Sequence, residues 1–205
     1  MKKIKLLLAG ILLLSSLGAI TPQELKTRMD KAYAGIKTMQ SDIEQTNYFS
    51  QIKHKTTYSG KLYYEPQRLL ISFDKPTIQR LQIDAGRVSI YDAASKTLIR
   101  TELLPEFQKL NPLELLQHYW GKSTLSITKE EKNLVHIKLI TQKDSFIREL
   151  TGSIDKVSGL VQSLSYADFN DNTVSYTFKN IKLNSSIPAA IWSFKPPKDT
   201  QEILQ

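Results

Sequence analysis

The stretch Gly60-Lys-Leu-Tyr-Tyr-Glu-Pro-Gln-Arg-Leu-Leu-Ile-Ser-Phe73 decides the fold, because two short apolar runs lie on either side of a break at Pro66. Side chains of a β-strand alternate between its two faces. The apolar residues that share one face are Leu62 and Tyr64 in the first run, and Leu69, Ile71 and Phe73 in the second. The stretch therefore predicts two successive strands of a sheet that has one apolar face.

The same pattern continues on both sides of this stretch from about residue 40 onward. Apolar and polar residues alternate in the runs 81–83, 88–90, 135–139, 164–166 and 174–178. Turn signals separate several of these runs, notably Asp84-Ala-Gly86 and the polar segment 168–172. Such alternation is typical of antiparallel sheets with one face on the core and the other in water.

Two helices are expected beside the strands. Thr21, Pro22 and Glu24 form a capping box with a proline at the first helical position. One apolar stripe follows at helical spacing, formed by Leu25, Met29, Ala32, Ile36 and Met39. These signals predict an amphipathic helix over residues 22–38. A shorter helix is expected from Pro112, capped by Asn111, to the residue before Gly121. The order of elements favours one α+β domain, mostly β, over residues 20–205.

The first 19 residues form an expected leader. Three lysines within the first five positions precede the nine-residue apolar run 6–14, and mostly small residues follow. This order is typical of a secretory signal peptide. The run is shorter than the about 20 residues that a membrane span needs. We therefore expect a signal peptide over residues 1–19, with an uncleaved membrane anchor as the alternative.

The composition excludes several kinds of site. The chain has 205 residues and no cysteine, which excludes disulfides, thiolate metal sites, thiol nucleophiles and an acylated lipoprotein cysteine. Without the three leader lysines, 25 basic residues face 20 acidic ones, and they are scattered along the chain. Nucleic acid is therefore not an expected partner.

Fragments that imitate active-site motifs do not meet the requirements of those motifs. The segment 121–123 lacks the upstream glycine of a phosphate-binding loop, because Leu116 holds that position. The run 168–172 begins like a calcium loop but has Thr173 where glycine is required. Three histidines stand far apart, at His54, His118 and His136. We therefore expect no catalytic residue, metal or cofactor, and a secreted hydrolase is a distant alternative.

Five segments along residues 21–198 carry a resemblance when they are taken in order. They are Leu25-Lys-Thr-Arg-Met-Asp-Lys31, residues 60–71, Asp84-Ala-Gly-Arg-Val-Ser-Ile-Tyr-Asp92, Asn111-Pro-Leu-Glu-Leu-Leu116 and Phe194-Lys-Pro-Pro-Lys198. Together they resemble the periplasmic outer-membrane lipoprotein carrier family, LolA. The resemblance implies an unclosed antiparallel β-barrel, or half-barrel, with a helical lid.

The resemblance also implies a function and partners. Such a protein is a periplasmic chaperone that shelters lipoprotein acyl chains in a hydrophobic cavity and carries lipoproteins from the inner to the outer membrane. It receives them from an inner-membrane ABC complex and delivers them to an outer-membrane receptor, without holding a nucleotide or a metal. We expect it to act as a monomer.

The apolar faces of the predicted elements supply candidate cavity residues. They are Met29, Ile36, Ile43, Leu62, Tyr64, Leu69, Ile71, Phe73, Ile83, Ile90, Leu113 and Leu116. The family often has an arginine just before the strand proline, where this chain has Glu65, so Arg68 is the candidate for lid control if its side chain turns inward.

Two other functions fit the same pattern of residues. A general periplasmic carrier of free lipids or other hydrophobic ligands would have the same architecture. A structural or adhesive module would instead have a sealed interior and an exposed flat apolar patch.

Overall fold

The computed structural model of the protein describes residues 19–103, 112–142 and 144–204. Helix α1 spans Pro22–Ala34, helix α2 spans Pro112–Trp120, and a short 3-10 turn spans Ala189–Trp192. The strands are β1 Met39–Phe49, β2 His54–Glu65, β3 Arg68–Lys75, β4 Gln79–Asp84, β5 Arg87–Asp92, β6 Thr97–Glu102, β7 Ser123–Glu130, β8 Leu134–Thr141, β9 Glu149–Asp155, β10 Val161–Ala167, β11 Thr173–Leu183 and β12 Gln201–Leu204. The expected signal peptide lies outside the described residues, except for its last residue, Ala19.

All twelve strands form one sheet in the order β12-β6-β5-β4-β3-β2-β1-β11-β10-β9-β8-β7. Neighbouring strands are antiparallel except β12, which pairs with β6 in parallel. In the described part of the chain, the edge strands β12 and β7 do not pair with each other. The predicted fold, a mostly β half-barrel with helices, is confirmed.

Helix α1 begins as the sequence predicts and ends earlier. The Thr21 hydroxyl accepts a hydrogen bond from the Glu24 amide at 3.2 Å, and the Glu24 carboxylate accepts one from the Thr21 amide at 2.8 Å. At the other end, the Gly35 amide donates to the carbonyl oxygens of Ala32 and Tyr33. The predicted end at residue 38 is therefore wrong. In the sequence, the apolar stripe continues past Gly35 to Met39. Met39 is apolar because it faces the interior as the first residue of β1, and not because the helix extends to it.

The concave face of the sheet carries the main hydrophobic core. Alternate residues of the strands point into it, among them Ile43, Leu62, Ile71, Val135 and Leu164. Leu25 and Met29 of α1 cover this core, together with Leu115, Leu116, Tyr119 and Trp120 of α2. The expected cap Asn111 lies outside the described residues, as does the side chain of Leu113.

A C-terminal strap, residues 184–204, crosses the convex face of the sheet. The Arg80 guanidinium donates to the Ile191 carbonyl at 2.7 Å, and the Gln82 amide donates to the Trp192 carbonyl at 3.2 Å. The Phe194 ring lies 4.9 Å from the Tyr91 ring, measured between centroids. The strap then joins the sheet edge as β12. None of the helices in the described part of the chain is long and apolar enough to span a membrane.

Candidate functional site

Two crevices open where the helices meet one half of the sheet. The first has a volume of about 440 Å³ and lies between the end of α1, α2 and the start of β1. Its walls are formed by Asp30, Tyr33, Ala34, Ile36, Met39, Tyr64, Glu114 and Gln117. The second has a volume of about 290 Å³ and lies beside the turns β2–β3 and β4–β5. Its walls are formed by Tyr64, Gln67, Arg68, Leu69, Ile83, Ala85, Gly86, Leu103 and Glu114.

The two crevices meet at Tyr64 and Glu114, which line both of them. Burial raises the pKa of the Tyr64 phenol, and the negative charge of Glu114 raises it further. The phenol is therefore neutral at physiological pH. Apolar walls with two exposed carboxylates, Asp30 and Glu114, suit a ligand with an apolar tail and a polar end.

Ten of the twelve candidate cavity residues fall into two groups. Those that line a crevice are Ile36, Tyr64, Leu69 and Ile83. Those buried in the core away from the crevices are Met29, Ile43, Leu62, Ile71, Phe73 and Leu116. Ile90 is half-buried and packs against the core. In this conformation the chain's own side chains fill the space behind the crevices, so a long guest needs the helices to move.

Hydrogen bonds attach α1 and α2 to the rest of the protein. Those that are described reach one half of the sheet, which is formed by β7–β11. The Arg28 guanidinium donates to the Lys156 carbonyl at 2.7 Å, and the Tyr33 hydroxyl accepts from the Val161 amide at 3.3 Å. In α2, the Tyr119 hydroxyl donates to the Asp144 carboxylate at 2.6 Å, which holds the helix to the β8–β9 loop. Both crevices open on the opposite half.

A close backbone contact also holds α1 to the β9–β10 turn. Gly159 has φ +73°, and a Cβ atom there would lie 2.5 Å from the Arg28 carbonyl oxygen. Any other residue would therefore push the helix away. The Asn184 side-chain amide donates to the Gly35 carbonyl at 3.0 Å, which holds the chain just after α1 to the end of β11. These contacts attach α1 and the residue after it to the half of the sheet formed by β7–β11.

The Arg68 guanidinium points toward the C-terminal strap in this structure. Its guanidinium forms ion pairs with Asp84 at 2.9 Å and Glu65 at 3.7 Å, and its Cζ lies 4.6 Å from the centroid of the Trp192 ring. These contacts hold the C-terminal strap against β3 and β4. Arg68 also lines the second crevice, and its role in lid control stays a prediction.

Sequence reasoning missed several residues that line the crevices. Glu114, Gln117 and Gln67 are polar residues on a helix and a turn, where a solvent-exposed side chain is the ordinary expectation. Tyr33 lies near the end of α1 and Leu103 directly follows β6. The direction of such a side chain depends on the residue at which the helix or strand stops. Only the apolar stripe of α1, which passes close to Tyr33, could have indicated one of them.

Comparisons with known proteins agree with this geometry. The family model described as "Outer membrane lipoprotein carrier protein LolA" matches residues 34–195. A solved uncharacterized conserved protein from Thermus thermophilus is 14% identical with a TM-score of 0.58, and the match covers 89% of this chain and 98% of that one. The solved MucA/MucB complex of Pseudomonas aeruginosa contains a chain that is 12% identical with a TM-score of 0.51, and the match covers 85% of this chain and 61% of that one.

No curated protein matches the sequence. At these identities the two solved structures support the fold alone. The family model, in contrast, spans both sheet halves, α2 and most of the C-terminal strap, and thus far more than half of the sequence. The chain therefore belongs to the outer membrane lipoprotein carrier protein LolA family.

Proposed function

We propose that the mature protein is a periplasmic carrier that shelters the acyl chains of lipoproteins and transfers lipoproteins from the inner to the outer membrane. The observation that supports this most is the one-sided attachment of the helices. They cover an apolar concave sheet, the described polar contacts of α1 with other elements reach the β9–β10 turn and β10, and two crevices that share Tyr64 and Glu114 lie along the other half. An acyl chain would enter there and displace α1.

The energies of cargo and lid favour this exchange. An acyl chain of about 16 carbons gains on the order of 12 kcal/mol when it leaves water, at roughly 0.8 kcal/mol per CH₂. Lifting α1 exposes Leu25 and Met29, which are fully buried. Each such side chain contributes roughly 1.5–3 kcal/mol when buried. The gain of the cargo on leaving water therefore exceeds the cost of exposing these two residues.

The remaining features of the proposal come from the sequence and the family. The expected signal peptide over residues 1–19 supports export, and the family description supports a lipoprotein cargo. Under this proposal an inner-membrane ABC complex loads the carrier and an outer-membrane receptor unloads it. The acyl chains would contact Ile36, Tyr64, Leu69 and Ile83 first and the core residues after lid opening.

A charge in the first crevice tests the proposed site. Ile36 is half-buried and follows α1, so Ile36→Glu should leave the protein folded while placing a carboxylate in the path of the acyl chain. We expect binding of a fluorescent 16-carbon fatty acid, titrated at equilibrium, to weaken by at least about tenfold. The control Ile52→Glu, on the exposed β1–β2 turn at the other end of the sheet, should bind like the wild type. Equal binding by all three proteins would contradict the site.

A carrier of free lipids is the second candidate, and the size of the crevices favours it. Volumes of about 290 and 440 Å³ are near the lower end of ordinary small-ligand pockets, roughly 300–1,000 Å³. A free fatty acid could occupy them with little movement of α1. Native mass spectrometry of protein purified from its own cell envelope separates the two functions, since lipoprotein adducts support the first and free lipid adducts support the second.

A further inference from the structure

Exposed apolar side chains gather at one end of the sheet, away from the crevices. Ile52 in the β1–β2 turn is 72% exposed, Phe169 in the β10–β11 turn is 57% exposed, and Phe146 in the β8–β9 loop is 63% exposed. Phe49, the last residue of β1, is also exposed. Solvent-exposed large apolar residues that cluster in this way usually mark a contact surface.

The strand register places these three turns at one level. The Cα pairs Tyr48–Thr173, Thr173–Ala167, Ala167–Glu149 and Glu149–Ile140 form a continuous row across β1, β11, β10, β9 and β8. Each turn begins just beyond this row. Neighbouring strands lie about 4.8 Å apart, so the three tips span roughly 20 Å along one rim.

Hydrogen bonds hold the turns together as one surface. The Ser50 amide donates to the Asn172 side-chain oxygen at 3.0 Å, which joins the β1–β2 turn to the β10–β11 turn. The Arg148 amide donates to the Ala167 carbonyl at 2.9 Å, and its guanidinium forms an ion pair with Asp171. The tips therefore keep their relative positions.

The acidic and basic side chains at this rim differ in whether they already have a local partner. Asp168 accepts hydrogen bonds from the amides of Asn170 and Asn172 within its own turn, and Asp171 is paired with Arg148. In contrast, Lys53 and Lys55 are exposed and form no ion pair with a described residue. Asp144 likewise accepts hydrogen bonds from the amides of Phe146 and Ile147. The acidic side chains thus keep their charge but have local partners, while two cations beside Ile52 remain available to an anionic partner.

We propose that this rim, formed by residues 49–55, 144–148 and 168–172, docks on the surface of an anionic phospholipid bilayer. Protruding apolar tips can enter the headgroup region, and the adjacent lysines attract anionic lipids. A peptide partner is less favoured because a peptide usually binds in a groove, and the residues of this rim line neither of the two crevices described above. The inference does not depend on the cargo proposed above.

Flotation of the mature protein with lipid vesicles tests the inference. We expect binding to vesicles of equal parts phosphatidylcholine and phosphatidylglycerol, weaker binding at raised salt, and far weaker binding to pure phosphatidylcholine. Ile52→Ser with Phe169→Ser should lower the partition coefficient at least about tenfold. Lys53→Gln with Lys55→Gln should lower it roughly 25-fold, at about fivefold for each lysine.

Two control variants match these changes at the opposite end of the sheet. Val157→Ser removes a side chain that is 87% exposed in the β9–β10 turn, and Lys132→Gln removes an exposed charge from the β7–β8 turn. Both should bind vesicles like the wild type. Unchanged melting temperatures in all variants would show that the fold is intact.

Three results would overturn the proposal: no binding of the wild type to either vesicle, equal binding to both vesicles, or equal loss in the rim and control variants. The first would point to a protein partner for the exposed side chains. Fatty-acid binding by Ile36→Glu is measured without vesicles, so failure of the carrier proposal and failure of this one are separate results.

Discussion

At the scale of single residues, Gly60 shows how one missing side chain permits the curved sheet. A Cβ atom at this position would lie 1.9 Å from the Ser72 carbonyl oxygen, at a register shift between β2 and β3. Gly60→Ala should therefore lower the free energy of unfolding by roughly 1–3 kcal/mol, as overpacking does. Urea denaturation measures this change.

The matched control for this substitution is Gly121→Ala. A Cβ atom there would meet nothing within 4 Å, and its φ is not left-handed. The control should be close to the wild type in stability. An equal loss in both variants would contradict the steric explanation for Gly60.

At the scale of elements, the contact between α1 and the β9–β10 turn sets the position of the lid. Gly159→Ala places a methyl group against the Arg28 carbonyl and should push α1 outward. We expect faster hydrogen exchange at the amides of α1 and stronger binding of a hydrophobic dye. Gly86→Ala is the control, since Gly86 has φ +83° but open space around it. If both variants loosen α1 equally, backbone strain and not the contact is responsible.

The burial of Tyr33 makes the attachment of α1 sensitive to alkaline pH. Burial raises the pKa of its phenol to about 12 from an ordinary value of 10. A group whose pKa is raised by folding contributes stability that is fully present below pH 10 and lost as pH rises to about 12. The loss is at most about 3 kcal/mol. Between pH 10 and 12, wild-type stability should fall more steeply than that of Tyr33→Phe in urea titrations. Parallel curves would contradict this origin.

Local signals in the sequence account for much of these elements. The capping box at Thr21 fixes the start of α1, and the alternation around Leu69 predicts β3. The end of α1 was missed because Ile36 and Met39 continue a helical spacing although they lie after Gly35. Strand β12 has only four residues on an edge, and its pairing with β6 is a long-range contact that no local pattern reveals.

At the scale of the whole molecule, the order and curvature of twelve strands create one apolar concave face, and two helices cover it. The family resemblance predicted this architecture, which the structure confirms. The crevices were less predictable because they depend on where α1 and α2 end relative to the sheet. Glu114, shared by both crevices, carries no sequence signal that separates it from an ordinary exposed helical carboxylate.

The central claim is that α1 pivots on β7–β11 to admit acyl chains. The chain has no native cysteine, so spin labels can be placed at Lys31→Cys in α1 and Arg87→Cys in β5, both exposed positions. A second pair, Lys31→Cys and Lys132→Cys, reports the distance to the half that holds the helix. Pulsed electron paramagnetic resonance should show that bound acylated peptide lengthens the first distance and changes the second much less. Saturating cargo with an unchanged 31–87 distance would contradict the account.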